Sequence, residues 1–145
     1  MTRRQFSFAP LAVSLSTLTQ TALAEETSIS LRGKLVTQGD QAGTLTLPDG
    51  KSMKLTGDEQ TRGVLNDARL NGVDFEVVGN ASPSGAFEIQ PIHKRAMFVH
   101  DKGKRLFVTY WCAVCAIRTY TPGICWCCQD DTVLDLRETM EISNS

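Results

Sequence analysis

The five cysteines of this 145-residue chain all lie between residues 112 and 128. Cys112 and Cys115 form one C-x-x-C pair, and Cys125 and Cys128 form a second, with Cys127 as a fifth thiol inside the second pair. Nine residues separate the two pairs. Since thiolates bind soft metal ions and also exchange disulfides, this spacing predicts a metal or redox site in the last third of the chain.

Two predicted strands position these cysteine pairs. The first strand, residues 105–111, leads directly into Cys112, and the second begins at Thr132, shortly after Cys128. A Thr-Pro-Gly turn signal lies between the pairs at residues 121–123. Both pairs are therefore expected near the open end of an antiparallel strand pair, where they can face each other.

The pattern of two successive C-x-x-C pairs is similar to that of zinc-ribbon and rubredoxin-like sites. The resemblance implies that Cys112, Cys115, Cys125 and Cys128 bind Zn²⁺ or iron tetrahedrally, at about 2.3 Å per Zn–S bond. The chain departs from that pattern in three ways: the spacer is short, glycine follows neither pair, and Cys127 is an additional thiol. Cys127 is therefore a substitute ligand that could replace Cys125 or Cys128.

Three interpretations of these cysteines stay open at the level of sequence. A structural metal site, most simply zinc, is favoured because the segment has few large apolar residues and ligation would supply folding energy. Two disulfides with one thiol left over are the alternative for an exported protein, although an odd cysteine invites wrong pairing. The third is an envelope redox or metal-handling role, through an iron–sulfur centre, a Cu(I) site or dithiol–disulfide exchange.

The first 24 residues have the features of a secretory signal peptide. Arg3 and Arg4 precede an uncharged stretch, and an Ala-Leu-Ala cleavage motif ends at Ala24. Thr2, Arg3, Arg4 and Phe6 resemble the core of the twin-arginine export signal, Ser/Thr-Arg-Arg-x-Phe. The resemblance implies export to the bacterial periplasm or cell envelope by a route that carries folded proteins, often with their cofactor already bound. No transmembrane segment is expected after cleavage.

The charge balance of the remaining chain disfavours nucleic acid as a partner. Residues 25–145 keep 13 of the 15 Lys and Arg residues and all 16 Asp and Glu residues, so their formal charge is −3. Such a chain lacks the excess of cations that neutralises phosphates. The two aromatics of residues 29–92, Phe75 and Phe87, occupy predicted core positions rather than a stacking surface. An unidentified envelope protein is the partner class consistent with export, and binding or assembly is favoured over catalysis because no catalytic motif occurs.

Alternation of apolar and polar residues predicts a mainly β protein. Strands are expected at residues 29–36, 44–47, 52–55, 73–78, 86–92, 95–99, 104–111 and 132–136. One helix is expected from an Asp58 cap to about Leu70. Three strands, a helix and two strands in this order resemble the OB-fold, a small barrel. The predicted organisation is a signal peptide at 1–24, an OB-like barrel domain at 25–100 and a C-terminal β extension with the cysteine cluster at 101–145.

Two aromatic and two imidazole side chains have candidate roles near the cysteines. Trp111 and Trp126 flank the two pairs and are expected to form the core of a small subdomain, rather than a dedicated shield for a metal centre. His93 and His100 each lie beside a predicted turn with charged neighbours. They are therefore expected on the surface rather than among the ligands.

Overall fold

The computed structural model describes residues 27–39 and 41–138, so the predicted signal peptide lies outside the described residues. This part of the chain contains one α-helix, α1 (Glu59–Leu65), and two short 3-10 helices at Ala68–Leu70 and Ile92–Lys94. Its nine strands are β1 (Ile29–Gln38), β2 (Gln41–Thr46), β3 (Ser52–Thr56), β4 (Asp74–Ala81), β5 (Phe87–Ile89), β6 (Met97–Asp101), β7 (Lys104–Cys112), β8 (Ile117–Thr119) and β9 (Val133–Arg137). The prediction of a mainly β protein is confirmed.

The first five strands form a closed barrel with the connectivity of an OB-fold. β2 pairs antiparallel with β1 and with β3. β3 pairs in parallel with β5, β5 pairs antiparallel with β4, and β4 closes the barrel by pairing antiparallel with β1. α1 lies between β3 and β4 in the chain, so the predicted OB-like order of strands and helix is confirmed.

Two glycines allow the close strand contacts that barrel closure requires. β1 pairs with β4 through its first half and with β2 through its second half, and Gly33 lies where the two partners meet. A Cβ atom on Gly33 would lie 2.2 Å from the carbonyl oxygen of Thr46. A Cβ atom on Gly79 in β4 would lie 1.9 Å from the carbonyl oxygen of Glu88 in β5. A side chain at either position would therefore push paired strands apart.

The barrel interior holds the main hydrophobic core. β1, β2 and β3 each contribute one fully buried leucine, and α1 adds two further buried side chains to the same cluster. Phe75 and Phe87, at 0% and 1% exposure, occupy the core positions predicted for them. Burial of a side chain of this size stabilises the fold by about 1.5–3 kcal/mol. The barrel is therefore held together by apolar packing.

The helix begins as predicted but ends earlier. The side chain of Asp58 accepts a hydrogen bond from the backbone N–H of Thr61 at 2.7 Å and so caps α1. The helix ends at Leu65, because Asp67 accepts a hydrogen bond from the backbone N–H of Arg69 at 3.0 Å and starts a separate 3-10 helix. Such local side-chain bonds compete with helix continuation.

Four strands extend the sheet beyond the barrel. β6 pairs with β4 and with β7, and β6 and β7 are joined by the two-residue turn Lys102-Gly103, both residues of which have positive φ. Tyr110 of β7 pairs with Thr119 of β8 and with Leu134 of β9, so β7 lies between those two strands. The strand pair predicted to flank the cysteines is thus β7 and β9, whereas the short β8 was missed. The domain boundary at residue 100 stays a prediction. β6 spans that residue, and it pairs with β4 before the boundary and with β7 after it.

Neither α1 nor the 3-10 helices of the described chain have the length and apolar character that crossing a membrane requires.

Candidate metal centre

Four of the five cysteines converge at the end of the β extension. The Sγ atoms of Cys112, Cys115, Cys125 and Cys128 all lie within 4.8 Å of one another. The Sγ atoms of Cys112 and Cys128, which come from different C-x-x-C pairs, are 3.5 Å apart. All five cysteines are free thiols. The segment that carries them, residues 112–132, is called the cysteine module below.

The first C-x-x-C pair lies at the hairpin between β7 and β8. Cys112 is the last residue of β7 and pairs with Ile117, the first residue of β8, so that residues 113–116 form the turn. The backbone N–H of Cys115 donates to the Sγ of Cys112, with an N···S distance of 3.5 Å. This bond closes the turn over the Cys112 sulfur.

The second pair lies in a short loop that its own backbone closes. The N–H of Cys125 donates to the carbonyl oxygen of Asp130 at 2.8 Å, and the N–H of Gln129 donates back to the carbonyl oxygen of Cys125 at 2.8 Å. The backbone N–H groups of Cys128 and Cys127 hydrogen-bond to the Cys125 thiol and lower its pKa to about 7. The first cysteine of each pair thus accepts backbone hydrogen bonds on its sulfur.

The two pairs also share their pattern of burial. Cys112 and Cys125, the first members, are 1% and 0% exposed. Cys115 and Cys128, the second members, are half-buried. A centre between them would have two sulfurs against the protein and two towards solvent.

The backbone after each pair adopts a left-handed conformation. The φ angle is 53° at Ala116, which follows Cys115, and 61° at Gln129, which follows Cys128. These are the positions where the sequence lacked the glycine usual in zinc-ribbon and rubredoxin-like sites. The left-handed conformation costs a residue with a Cβ atom about 1–2 kcal/mol. The chain therefore departs from that pattern in residue type but not in backbone conformation.

Cys127 stands apart from the four converging thiols. It is exposed and is not a member of the group within 4.8 Å. Its side chain nevertheless interacts with Cys115 of the other pair: a hydrogen bond between the two thiols, followed by burial, raises the pKa of Cys115. Cys127 is therefore a fifth thiol at the solvent edge of the cluster, next to a half-buried member.

The cysteine module has almost no apolar core of its own. Between residues 113 and 131, Cys125 is the single buried residue. Val114, Ile124 and Trp126 are 68%, 64% and 76% exposed. The prediction that Trp126 belongs to a subdomain core is therefore wrong, because the loop closes around the sulfurs and leaves the indole outside. Trp111 is half-buried, and the Arg118 guanidinium lies 4.9 Å from its ring centroid.

A buried polar contact joins the base of the cysteine module to the barrel. Tyr110, two residues before Cys112, is fully buried, and its hydroxyl donates to Asp67 Oδ2 at 2.8 Å. Arg69 binds the same carboxylate and donates from Nη1 to the carbonyl oxygen of Thr132 at 3.2 Å. Burial alone would raise the pKa of Asp67, but the bonds from Arg69 and Tyr110 outweigh it and lower that pKa. The module is thus fixed to the 3-10 helix that follows α1.

A second polar cluster was missed by sequence reasoning. The carboxylate of Glu76 in β4 accepts hydrogen bonds from Ser30 Oγ at 2.7 Å, His100 Nε2 at 2.5 Å and Arg105 Nη2 at 2.8 Å. The His100 side chain is only 15% exposed, so its predicted surface position is wrong, whereas His93 is exposed. The two-residue turn between β6 and β7 fixes how these strands align, so the sequence could have predicted that His100 lies opposite Arg105. Nothing local in the sequence indicates their contact with Glu76.

Comparison of the chain with protein-family models, with curated proteins and with solved structures gave no match. No whole-chain family is therefore recognised, and the function has to be argued from the cysteine site itself.

Proposed function

We propose that this protein is a small exported metal-binding protein in which Cys112, Cys115, Cys125 and Cys128 hold a structural zinc ion, and that its β-barrel has a binding or assembly role. The observation that carries the proposal is the convergence of four free thiols within 4.8 Å, in a segment with almost no apolar core.

The sulfur positions suit one tetrahedral ion. Zn–S bonds of about 2.3 Å at tetrahedral angles separate neighbouring sulfurs by about 3.8 Å. The Cys112 and Cys128 sulfurs are 3.5 Å apart and no pair among the four exceeds 4.8 Å. A small contraction would therefore complete the ligand set. So small a space favours a single ion over a multi-iron cluster, whose iron and sulfide atoms would have to fit between the cysteines.

Backbone hydrogen bonds favour the thiolate form at Cys125, whereas the hydrogen bond with Cys127 and burial raise the pKa of Cys115. The Cys112 and Cys125 sulfurs each accept backbone hydrogen bonds, and those bonds lower the pKa of Cys125 to about 7. Metal ligation displaces the thiol protons, so ligands that ionise readily bind more tightly at neutral pH. Four thiolates around Zn²⁺ carry a net charge of −2, which the donated N–H groups partly offset.

A structural role follows from the energetics of the cysteine module. With Val114, Ile124 and Trp126 exposed, apolar burial contributes little to the folding of residues 113–131. The ordering of each residue costs about 1–2 kcal/mol of backbone entropy. Zinc binding to small cysteine sites supplies about 10–16 kcal/mol at pH 7, which offsets a large part of that cost.

Native mass spectrometry with elemental analysis tests this proposal on mature protein recovered from its own compartment. The expected mass is that of the chain plus one zinc, less the protons that the thiolates lose. A metal-free mass lower by four hydrogens would indicate two disulfides and would contradict the metal site. Iron or copper in place of zinc would favour a redox or metal-handling role at the same cysteines.

The export part of the proposal rests on residues outside the described structure and has its own test. Arg3→Lys together with Arg4→Lys is expected to keep the protein in the cytoplasm, because twin-arginine transport requires the arginine pair. Export of the double variant at the normal rate would point to the general secretory route instead.

A further inference from the structure

We infer that a cleft between β3, α1 and the β4–β5 loop binds a small anion that also carries hydroxyl groups, either a hydroxylated carboxylic acid or a phosphate ester. The inference rests on the proposed binding role of the barrel and gives that role a class of ligand. It does not depend on the ion at the cysteines, because none of the residues that line the cleft belongs to the cysteine module.

The cleft has the dimensions of a small-molecule site. Its volume is about 880 Å³, and such sites ordinarily measure about 300–1,000 Å³. β3 contributes Lys54 and Thr56, which lie on either side of the fully buried Leu55 and therefore point out of the barrel. The β4–β5 loop contributes residues 84–86.

One face of α1 forms the third wall. The helical residues that line the cleft are three or four positions apart, as residues of a single helix face are: Glu59, Arg62, Gly63 and Asn66. The buried residues of the helix lie between them in the sequence and pack into the barrel core. The core therefore fixes how this wall is oriented.

The loop wall is also held in place by its own backbone. The N–H of Ser82 donates to the carbonyl oxygen of Ala86 at 2.8 Å, and the N–H of Gly85 donates to the carbonyl oxygen of Ser82 at 3.0 Å. All three walls are thus positioned by contacts within the protein. A ligand can bind to such a preformed cleft without first ordering it.

The charges on the walls favour an anion. Neither Lys54 nor Arg62 forms an ion pair with any other described residue. Residues 25–145 carry a formal charge of −3, so two unpaired cations at one cleft do not reflect a general excess of basic residues. An ammonium and a guanidinium group together suit a carboxylate or a phosphate.

The remaining polar groups favour hydroxyl groups on the same ligand. Glu59 repels a bare anion, but its carboxylate accepts hydrogen bonds from hydroxyl groups. The side-chain oxygen of Asn66 is buried and has no hydrogen-bond partner in the described chain, so one acceptor is left for a ligand to satisfy. No aromatic side chain is among the described residues that line the cleft, which disfavours a nucleobase.

An NMR titration of the mature protein with four small molecules tests the inference. Gluconate and glycerol phosphate represent the two hydroxylated anions, glucose is the neutral control, and inorganic phosphate is the control without hydroxyl-bearing carbon. At least one hydroxylated anion is expected to shift the backbone amides of Arg62 and Ser84, and which of them does so identifies the anionic group. Equal affinity for inorganic phosphate or for glucose would overturn the inference, as would the absence of shifts at the cleft.

Substitutions of exposed side chains provide a second measurement. Arg62→Gln is expected to weaken binding of the hydroxylated anion by about 10-fold, as loss of a hydrogen bond to a charged group does. Lys34→Gln is the matched control, because Lys34 is an exposed strand cation that does not line the cleft. Equal weakening in both variants would mean that general charge attraction holds the anion, contrary to the inference.

Glu59→Gln should act in the opposite direction on a bare anion. Inorganic phosphate is expected to bind a few-fold more tightly to this variant, because a repelling carboxylate is removed, and the preference for hydroxylated anions should shrink. An unchanged preference would contradict the role given to Glu59. Zinc content is measured on the same samples. Metal-free protein that binds the anion would defeat the proposed metal site alone, whereas zinc-loaded protein that binds none of the four molecules would defeat this inference alone.

Discussion

The barrel and the cysteine module differ in the kind of side chain that each of them buries. In the barrel, residues such as Leu35, Leu45 and Phe75 are completely buried, and a continuous apolar core connects all five strands. In the module the buried side chains are two cysteines and Thr132, while larger apolar residues face solvent. The barrel can therefore fold by excluding water, whereas under the proposed function the module depends on a metal ion held by its sulfurs.

This difference predicts that the two regions respond independently to different perturbations. Packing changes should act on the barrel, and ligand changes should act on the module. Their contact through Tyr110, Asp67 and Arg69 sets the degree of coupling between them.

Removal of the metal by a chelator is expected to unfold the cysteine module and leave the barrel folded. The loss corresponds to the roughly 10–16 kcal/mol that zinc contributes to small cysteine sites at pH 7. Hydrogen exchange should show lost protection at the amides of Cys125 and Gln129, which are hydrogen-bonded within the module. Amides of the barrel strands should stay protected. Unchanged protection in both regions would mean that the module is stable without ligation.

Two glycine-to-alanine substitutions compare a tight strand contact of the barrel with an open position in α1. Gly79→Ala is expected to lower the free energy of unfolding by about 1–3 kcal/mol, as overpacking does, because its Cβ would meet the Glu88 carbonyl. Gly63→Ala in α1 is expected to raise it by about 0.5–1 kcal/mol, because alanine favours helix. The nearest atom to that Cβ would be Pro122 Cδ of the module, at 3.9 Å. Urea denaturation measures both effects, and equal shifts in the two variants would refute the argument.

The contact between the two regions predicts a dependence of stability on pH. The pKa of Asp67 is lowered in the folded protein, so its contribution to stability is present above its unfolded value of about 4 and is lost as the pH falls through the folded value. Asp67→Asn is expected to lower the free energy of unfolding by about 1–3 kcal/mol at pH 7, because Tyr110 and Arg69 lose a charged partner.

In the Asp67→Asn variant, the free energy of unfolding should fall less steeply between pH 5 and pH 2 than in the wild type. Aspartate carboxylates ordinarily titrate near pH 4, which sets this window. Denaturation in the presence of chelator isolates this effect from protonation of the thiolates. An unchanged pH slope would mean that Asp67 does not couple proton binding to folding.

The smallest expected effect concerns the left-handed residues after each cysteine pair. Ala116→Gly and Gln129→Gly should each stabilise the metal-bound module by about 0.5–1 kcal/mol, since glycine adopts positive φ without a Cβ clash. Transfer of zinc to a chromophoric chelator should slow a few-fold in both variants. Lys102→Gly is the matched control, because Lys102 also has positive φ but lies in the turn between β6 and β7. Slower zinc transfer in that control would show that the effect is not local to the cysteines.

The barrel and the convergence of the cysteines could be predicted from sequence because both depend on local patterns. Alternation and turn residues located most strands, and the spacing of Cys112, Cys115, Cys125 and Cys128 identified the four thiols that come together. The predicted helix was too long because apolar residues continue as far as Leu70. In the structure Leu70 is buried as part of the separate 3-10 helix. Local capping by Asp67 decided that boundary.

The features that sequence reasoning missed arise from contacts between distant segments. Glu76 meets His100 and Arg105 only after β4, β6 and β7 have paired, and Tyr110 meets Asp67 across 43 positions of the chain. The exposure of Trp126 was missed for a different reason. An aromatic residue between cysteines is ordinarily a core residue, but here backbone hydrogen bonds and sulfur convergence shape the loop.

All five cysteines follow the barrel strands in the chain. During translation, residues 29–89 emerge from the ribosome before any of the thiols does, and N-terminal domains generally fold first as synthesis proceeds. We therefore expect the thiols to emerge beside a barrel whose strands are already paired. Such an order of synthesis would protect the closely spaced cysteines from mispairing with unfolded barrel segments. It would also make capture of the ion the last step in the folding of the newborn chain.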